Sequence, residues 1–411
     1  MKASRMTAFL CLAVLMAAGN LFAGGRQNQG GGKIKIEYFS LKRETAEIMD
    51  GLIADFEREY SNIDIEQTNV PDPARILQTR MSSGDTPEVF SSWPNDTWRT
   101  QVKEGYVMDL SGFPAVNRIR DDARQYCQVD GRDYIIPVSY NTMGIFYNKD
   151  IFAKYGLSPP TDFAGLLRVC ETLKANGVTP FLITGKGLEA PRQDFDVYQL
   201  TISDWEKFRD DVVARKVDMT KPYGGQIREL AGRIISLLAY AQDDVLGSER
   251  DQLLNDFAAG KGAMHINGSW SIPVIQNANP GMNFSMFPFP GVTADQTMVN
   301  VYPGDFALCI SSESSHVNEA RAFLEFLVRP QIALTYAEKD GSISCIKGVD
   351  YVAPQLQEQK TFIDTGRHTV YPTAYWNMAQ LDALGAAVQQ LYMDKNIDGF
   401  LRNLQADLNS N

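Results

Sequence analysis

Histidine is scarce in this 411-residue chain. His265, His316 and His368 are the three present, and no two of them stand at a His-x-x-x-His or His-Glu-x-x-His spacing. That excludes the helical zinc motif, which needs two imidazoles one turn apart on one face. Cysteine is nearly as rare. Cys11 lies in an N-terminal apolar run, and Cys127, Cys170, Cys309 and Cys345 lack the close pairs that a structural zinc site requires. These four read as buried small apolar side chains, and spacing leaves open whether Cys309 and Cys345 are bridged. Positive charge is in deficit: 39 Lys and Arg against 50 Asp and Glu give a net charge of −11. A basic face for nucleic acid is therefore missing. No apolar run approaches the roughly 20 residues of a membrane-spanning helix. There is no internal repeat and no Gly-x-Ser-x-Gly nucleophile motif. Gly260-Lys261 is not a phosphate loop, because Asn255 stands where the first glycine belongs and Gly262 where Ser or Thr belongs. With no metal or phosphate motif, neither a metal nor a cofactor is expected.

What is present suits an exported α/β protein. Lys2 and Arg5 precede an apolar run from Met6 to Ala18, and Ala23 offers a small residue for cleavage. Residues 1–23 are expected to be a secretory signal peptide, and residues 24–32, GGRQNQGGG, a flexible tether. No small residue-Cys boundary follows the run, so a free periplasmic protein is expected rather than a lipid-anchored one. Hydrophobic residues make up 44% of the chain and charged residues 22%, which is ordinary for one large domain or two smaller ones.

Residues 34–39, IKIEYF, alternate like a strand. Ile48, Leu52, Ile53, Phe56 and Tyr60 then share a helix face, and Ile63 and Ile65 open a second strand. A strand-helix-strand start implies an α/β sheet. A helix over 74–83 and a strand at Glu88-Val89-Phe90 follow. Tyr134–Pro137 and Gly144–Tyr147 read as extended chain around a break. Thr161 is the expected N-cap of a helix closed by Gly177, and Ser248 with Asp251 the expected capping box of a helix ended by Gly260. Phe306–Ile310 reads as a strand, 315–328 as a helix stopped or restarted at Pro330, and Trp376–Leu391 as a helix. His265 is expected to be a packed or hydrogen-bonded strand residue, with no catalytic role.

Aromatic side chains cluster at loop-like positions: Tyr38, Trp93, Trp98, Tyr140, Trp270, Tyr302, Tyr375 and Trp376. Near them stand Lys42, Arg43, Asn95, Asp96, Asn141 and Asp305. Flat apolar faces beside planar polar groups suit a sugar, whose ring has an apolar C–H face and a hydroxyl rim. Unpaired polar groups in a closed site would be costly, so these would need hydroxyl partners.

Six segments in order resemble the extracellular solute-binding proteins of ABC transporters, family 1, the maltose-binding-like sugar receptors. They are residues 80–90 (RMSSGDTPEVF), 136–152 (IPVSYNTMGIFYNKDIF), 155–173 (YGLSPPTDFAGLLRVCETL), 257–270 (FAAGKGAMHINGSW), 284–291 (FSMFPFPG) and 320–327 (ARAFLEFL). Glu88 replaces the family's usual Asp, and Phe163 its common Trp. The resemblance implies an α/β, two-lobe periplasmic-binding-protein fold with a hinge and an interlobe cleft. It places residues 33–139 and 303–342 in an N-lobe, and 140–302 and 343–411 in a C-lobe. It implies a non-enzymatic, monomeric receptor that binds a carbohydrate and hands it to the transmembrane subunits of an ABC permease. Its ligand contacts would be Trp270, Asn141, Lys42, Arg43, Trp93, Asn95, Asp96, Asp305, Tyr302 and Trp376, with Tyr375 an alternative to the last. The rival readings are a secreted carbohydrate-active enzyme and a receptor for another solute, such as a polyamine or a sugar phosphate.

Overall fold

The computed structural model describes residues 32–410. The expected signal peptide, and all but the last residue of the tether, lie outside them. In chain order the strands are β1 (Ile34–Phe39), β2 (Ile63–Thr68), β3 (Val89–Ser91), β4 (Gln128–Val129), β5 (Arg132–Asp133), β6 (Ile136–Asn148), β7 (Phe181–Leu182), β8 (Met264–Gly268), β9 (Phe284–Phe287), β10 (Val299–Ile310), β11 (Ile343–Ser344) and β12 (His368–Val370). One mixed sheet runs β2-β1-β3-β10-β6-β8-β7, with β9 and β11 also paired to β6 and β12 to β10.

The opening follows the hydrophobic pattern. β1 and β2 pair in parallel from Ile34 opposite Ile63, and helix Ala46–Glu59 connects them. That helix buries Met49, Leu52, Ile53 and Phe56, a spacing of three and four residues that keeps one stripe on the sheet. Phe56 meets Phe323 and Phe326 edge-on, with ring centroids 5.2 and 5.4 Å away. Burying an aromatic of this size contributes about 1.5–3 kcal/mol.

Two long strands carry the rest. β6 has 13 residues and β10 has 12, and they pair antiparallel at the centre of the sheet. The side chains of β6 alternate between two cores. Ile136, Val138, Tyr140 and Phe146 join a cluster with β1, helix Ala46–Glu59 and helix Val317–Leu327. Met143, Ile145 and Tyr147 join a second cluster, built on helices Phe163–Ala175, Pro222–Leu238 and Met378–Asp394. A smaller cluster around Phe39, Phe90 and Trp98 covers the other face of β1 and β3. Late in the chain, Ile343, Cys345, Ile346, Ala353 and Leu356 pack in the first cluster, and residues from Tyr371 to Leu408 in the second.

Several local expectations are corrected. No break interrupts β6. Gly144 sits inside it because a Cβ there would lie 2.6 Å from the Phe287 carbonyl oxygen and 2.4 Å from Gln359 Nε2. The N-cap of helix Phe163–Ala175 is Asp162, whose carboxylate accepts from Gly165 N–H at 2.6 Å, and not Thr161. Ser248 forms no capping box; its hydroxyl is buried and donates to the Asp244 carbonyl, so Glu249 holds the cap position. The helix expected over Trp376–Leu391 begins at Met378, capped by Asn377 and Gln380, which leaves Trp376 in the extended approach to it. Pro330 restarts the chain as the first residue of helix Pro330–Asp340. Tyr38 and Trp98 are fully buried core residues. All four described cysteines are free and buried, so Cys309 and Cys345 are not bridged.

Candidate functional site

A cavity of about 550 Å³ opens where the loops after β1 and β3 face the second cluster. Arg43, Trp93, Asn95, Asn141, Trp270, Tyr302, Asp305 and Trp376 border it. Pockets of this size accept small organic ligands.

The centre of its floor is made by an irregularity in the β6–β10 ladder. Tyr302 pairs with Asn141 and Pro303 with Tyr140, but the next pair is Phe306 with Ser139. Gly304 and Asp305 are thus left outside the register as a bulge, and Gly304 takes a left-handed φ of 89°. A Cβ at Gly304 would also lie 2.9 Å from Pro94 Cδ, so glycine is needed twice over. The bulge frees the Asp305 carboxylate from the ladder. Its Oδ1 accepts from Asn141 Nδ2 at 2.8 Å, and its Oδ2 accepts from Lys42 Nζ. Asn141 Oδ1 accepts in turn from the Tyr371 hydroxyl at 2.5 Å. Trp93 donates its indole N–H to the Asp305 carbonyl at 3.2 Å. A chain of polar contacts therefore runs from the loop after β1, through both long strands, to the segment after β12.

Lys42 does not border the cavity as its neighbour Arg43 does. It is 2% exposed, and its ammonium bonds Asp340 Oδ1 and Oδ2 at 3.0 and 3.1 Å and Tyr336 Oη at 3.4 Å, besides Asp305. Burial alone would lower its pKa, but Asp305 and Asp340 outweigh that and hold it well above the usual lysine value. Asp96 also does not border the cavity; it opens helix Asp96–Lys103. Asn95 does, although its side-chain oxygen is committed to capping that helix through Trp98 N–H at 3.0 Å. Trp376 is 1% exposed and packs edge-on against Phe208 at 5.8 Å, so it presents little more than an edge. Tyr375 lies off the cavity, between Tyr126 and the Arg209 guanidinium.

Other cavity residues had escaped sequence reading. Tyr371 packs on Tyr302 with centroids 5.4 Å apart and ties into Asn141. The aromatic run of residues 371–376, YPTAYW, was the signal for it. Asp196 carried no such signal, being one acid among many. It is buried and accepts from Thr373 Oγ1 at 2.5 Å and from Gln199 Nε2 at 3.0 Å. Burial pushes its carboxyl up to about 7 against the pull of those bonds. Arg192, Arg250, Glu44, Glu189 and Asp251 complete a rim of both signs. Among the described residues, no group of three or more His, Cys, Asp or Glu could hold a metal ion.

The stretch 257–270 resolves residue by residue. Gly260 ends helix Arg250–Ala258 with a φ of 74°, and Lys261 pairs with Asp256 at 2.6 Å. His265 is buried in β8, bonded to the Leu182 carbonyl at 2.8 Å and to Asn267 at 3.1 Å. Burial lowers its pKa from 6.5 to about 4. Below pH 6.5 the unfolded chain takes up a proton that the folded protein refuses. This contribution to stability is therefore full above pH 6.5 and is lost as pH falls toward 4. It amounts to about 3 kcal/mol. His265→Gln should show a correspondingly flatter fall in urea-unfolding stability from pH 7 to 4.5; slopes equal to wild type would remove His265 from the account. Trp270 follows in the short turn Ser269–Ser271, half-buried, with one side against the second cluster and the cavity beyond it.

Known proteins are similar to this chain in sequence and in fold. The profile of the family described as bacterial extracellular solute-binding protein matches residues 42–333. The "multiple sugar-binding protein" of Streptococcus mutans is 29% identical over 402 residues, covering 96% of this chain and 94% of that protein. The melibiose/raffinose/stachyose-binding protein MelE of Bacillus subtilis is 22% identical, covering 84% and 81%. The solved complex of the solute-binding protein RafE with raffinose superposes with a TM-score of 0.82 at 26% identity, covering 92% of this chain and 99% of that one. The apo form of RafE from Streptococcus pneumoniae gives 0.76 at 26% identity, covering 94% and 99%.

Proposed function

The chain belongs to the bacterial extracellular solute-binding protein family, and from that premise we propose that it is the oligosaccharide receptor of an ABC importer. It works outside the cytoplasm, holds its sugar in the cavity above Asn141 and Asp305, and passes it to the transmembrane permease. The observation that carries the reading is the lining: Trp93, Trp270, Tyr302 and Tyr371 surround a floor of hydrogen-bonding groups. Aromatic faces bury the C–H side of a pyranose, and the polar groups replace water at its hydroxyls. Relatives bearing the names of melibiose, raffinose and stachyose support an α-galactoside of this size as the ligand.

The rim argues against a strongly charged solute. Arg43, Arg192 and Arg250 are interspersed with Glu44, Glu189, Asp196 and Asp251, so neither a polyanion nor a polycation meets a field of one sign. A neutral hydroxylated ligand suits this mixture better than a sugar phosphate or a polyamine.

Delivery would follow from two lobes joined where β6 and β10 pair, although the first cluster also holds Leu253, Phe257, Ile272 and Phe284 from the range expected in the C-lobe. A ligand touching both lobes favours the closed arrangement by its extra contacts there. The permease then reads closure as occupancy, and the receptor acts as a monomer.

A thermal-shift series tests the ligand class. At a hundredfold excess over Kd, a bound ligand stabilises by about 2.7 kcal/mol, which raises Tm by several degrees in a protein of this size. Raffinose, stachyose or melibiose should produce that rise. A rise with spermidine or a hexose phosphate alone would overturn the sugar assignment.

A further inference from the structure

Gly268, the last residue of β8, is covered by the side chain of the residue two places on. A Cβ built there would lie 1.9 Å from Cζ3, 2.1 Å from Cη2 and 2.3 Å from Cε3 of Trp270. The benzo ring of the indole therefore rests where any other amino acid would place its side chain. Gly268 has an ordinary φ of −99°, so its backbone does not call for glycine. What calls for it is the ring.

The rest of the turn is held from the first long strand. Ser269 Oγ accepts from Thr142 N–H at 3.2 Å, and Gly268 lies opposite Met143 in the β6–β8 ladder. Thr142 directly follows Asn141, so the same three residues of β6 present Asn141 to the cavity and anchor the turn that carries Trp270. Ring and floor are thereby referenced to one strand.

We propose that Gly268 is a positioning residue for ligand binding. Its bare Cα is the seat of the Trp270 indole, and it sets how far that wall stands into the cavity. The ligand half of this claim rests on the sugar-receptor reading; the seat does not. An alanine methyl at 268 cannot coexist with the ring at these distances. The atoms it meets are at the far end of a side chain, so the ring moves and the backbone stays. The displaced indole no longer stands where the cavity wall places it.

The test is a two-by-two set: wild type, Gly268→Ala, Trp270→Ala and the double variant. Ligand affinity is measured by calorimetry with raffinose and stachyose, and fold by thermal melting. The emission of Trp270 is obtained as the difference between each protein and its Trp270→Ala partner. Gly268→Ala should weaken sugar binding about tenfold or more, equivalent to about 1.4 kcal/mol, with melting near that of wild type. It should also shift the Trp270 emission and raise its quenching by acrylamide. In the Trp270→Ala background, Gly268→Ala should change affinity little, because the ring it displaces is gone. An unchanged Trp270 emission in Gly268→Ala would overturn the seat. An equal affinity loss in both backgrounds would overturn its action through Trp270. If wild type binds neither sugar while the emission still shifts, the sugar reading fails and the seat stands.

Discussion

Trp270→Ala should weaken sugar binding by about a hundredfold while the protein melts within a few degrees of wild type. A buried aromatic at the centre of a binding surface commonly costs 2 kcal/mol or more when truncated, and about 2.7 kcal/mol is a factor of a hundred. Trp270 is placed for such a loss because it borders the cavity beside Asn141 and Tyr302. Its share in the fold is smaller. It is half-buried and packs on the margin of the second cluster, whereas Trp98 and Trp376 are 0% and 1% exposed. Core tryptophan-to-alanine changes cost about 3–5 kcal/mol, so Trp98→Ala serves as the control that melts early. Trp376→Ala would confuse the two effects. Calorimetry with the sugar that gives the largest thermal shift decides the matter. A Kd within threefold of wild type would move the ligand away from Trp270.

The second large effect is on stability. Lys42→Met should destabilise the fold by about 3–5 kcal/mol, the usual result of removing one partner from a buried ion pair. The methionine fills similar volume but leaves the carboxylates of Asp305 and Asp340 facing each other without a cation. The pH dependence separates this from a packing defect. In wild type the raised Lys42 pKa means that its contribution is complete below the ordinary lysine value of 10.5 and is lost only as pH rises through the still higher folded value. Wild-type stability owes no slope to it between pH 5 and 8. In the variant, two buried acids without a counter-charge favour a bound proton, so stability should fall as pH rises. The deficit in urea unfolding is thus larger at pH 8 than at pH 5. Adding Asp340→Leu should restore part of the loss. A deficit that ignores both pH and the second substitution would mean that packing, and not charge, is what Lys42 supplies.

Much of the scaffold was legible from local pattern. The alternation in Ile34–Phe39 and the helix face of Leu52, Ile53 and Phe56 are each set by one dominant interaction, burial of one face; Met49 is buried there too, while the expected Ile48 and Tyr60 are only partly buried. The apparent break in β6 came from the failure of that same rule. A strand buried on both faces has no polar side to alternate with, so residues 138–143 give no strand pattern, and Gly144 is a point of close approach. Caps were misplaced where neighbours are chemically equivalent. Thr161 and Asp162 can both accept at a helix N-terminus, and Ser248 can spend its hydroxyl elsewhere.

By itself the sequence determined the class of the protein. Its ordered segments carry an α/β pattern and a family resemblance, its net charge of −11 argues against a nucleic-acid partner, and its aromatics beside planar polar groups point to a sugar. Composition and local order suffice for those conclusions because they depend on residue types and not on where side chains point. Tertiary structure alone decided which residues border the cavity. Lys42 and Arg43 are adjacent cations on one loop, indistinguishable by type. The loop turns Lys42 inward onto two acids and leaves Arg43 at the cavity. Asp305 reaches that floor because a bulge at Gly304 releases it from the ladder, and Trp270 has its place because Gly268 has no side chain. These outcomes depend on register, burial and atoms hundreds of residues apart, which no local pattern encodes.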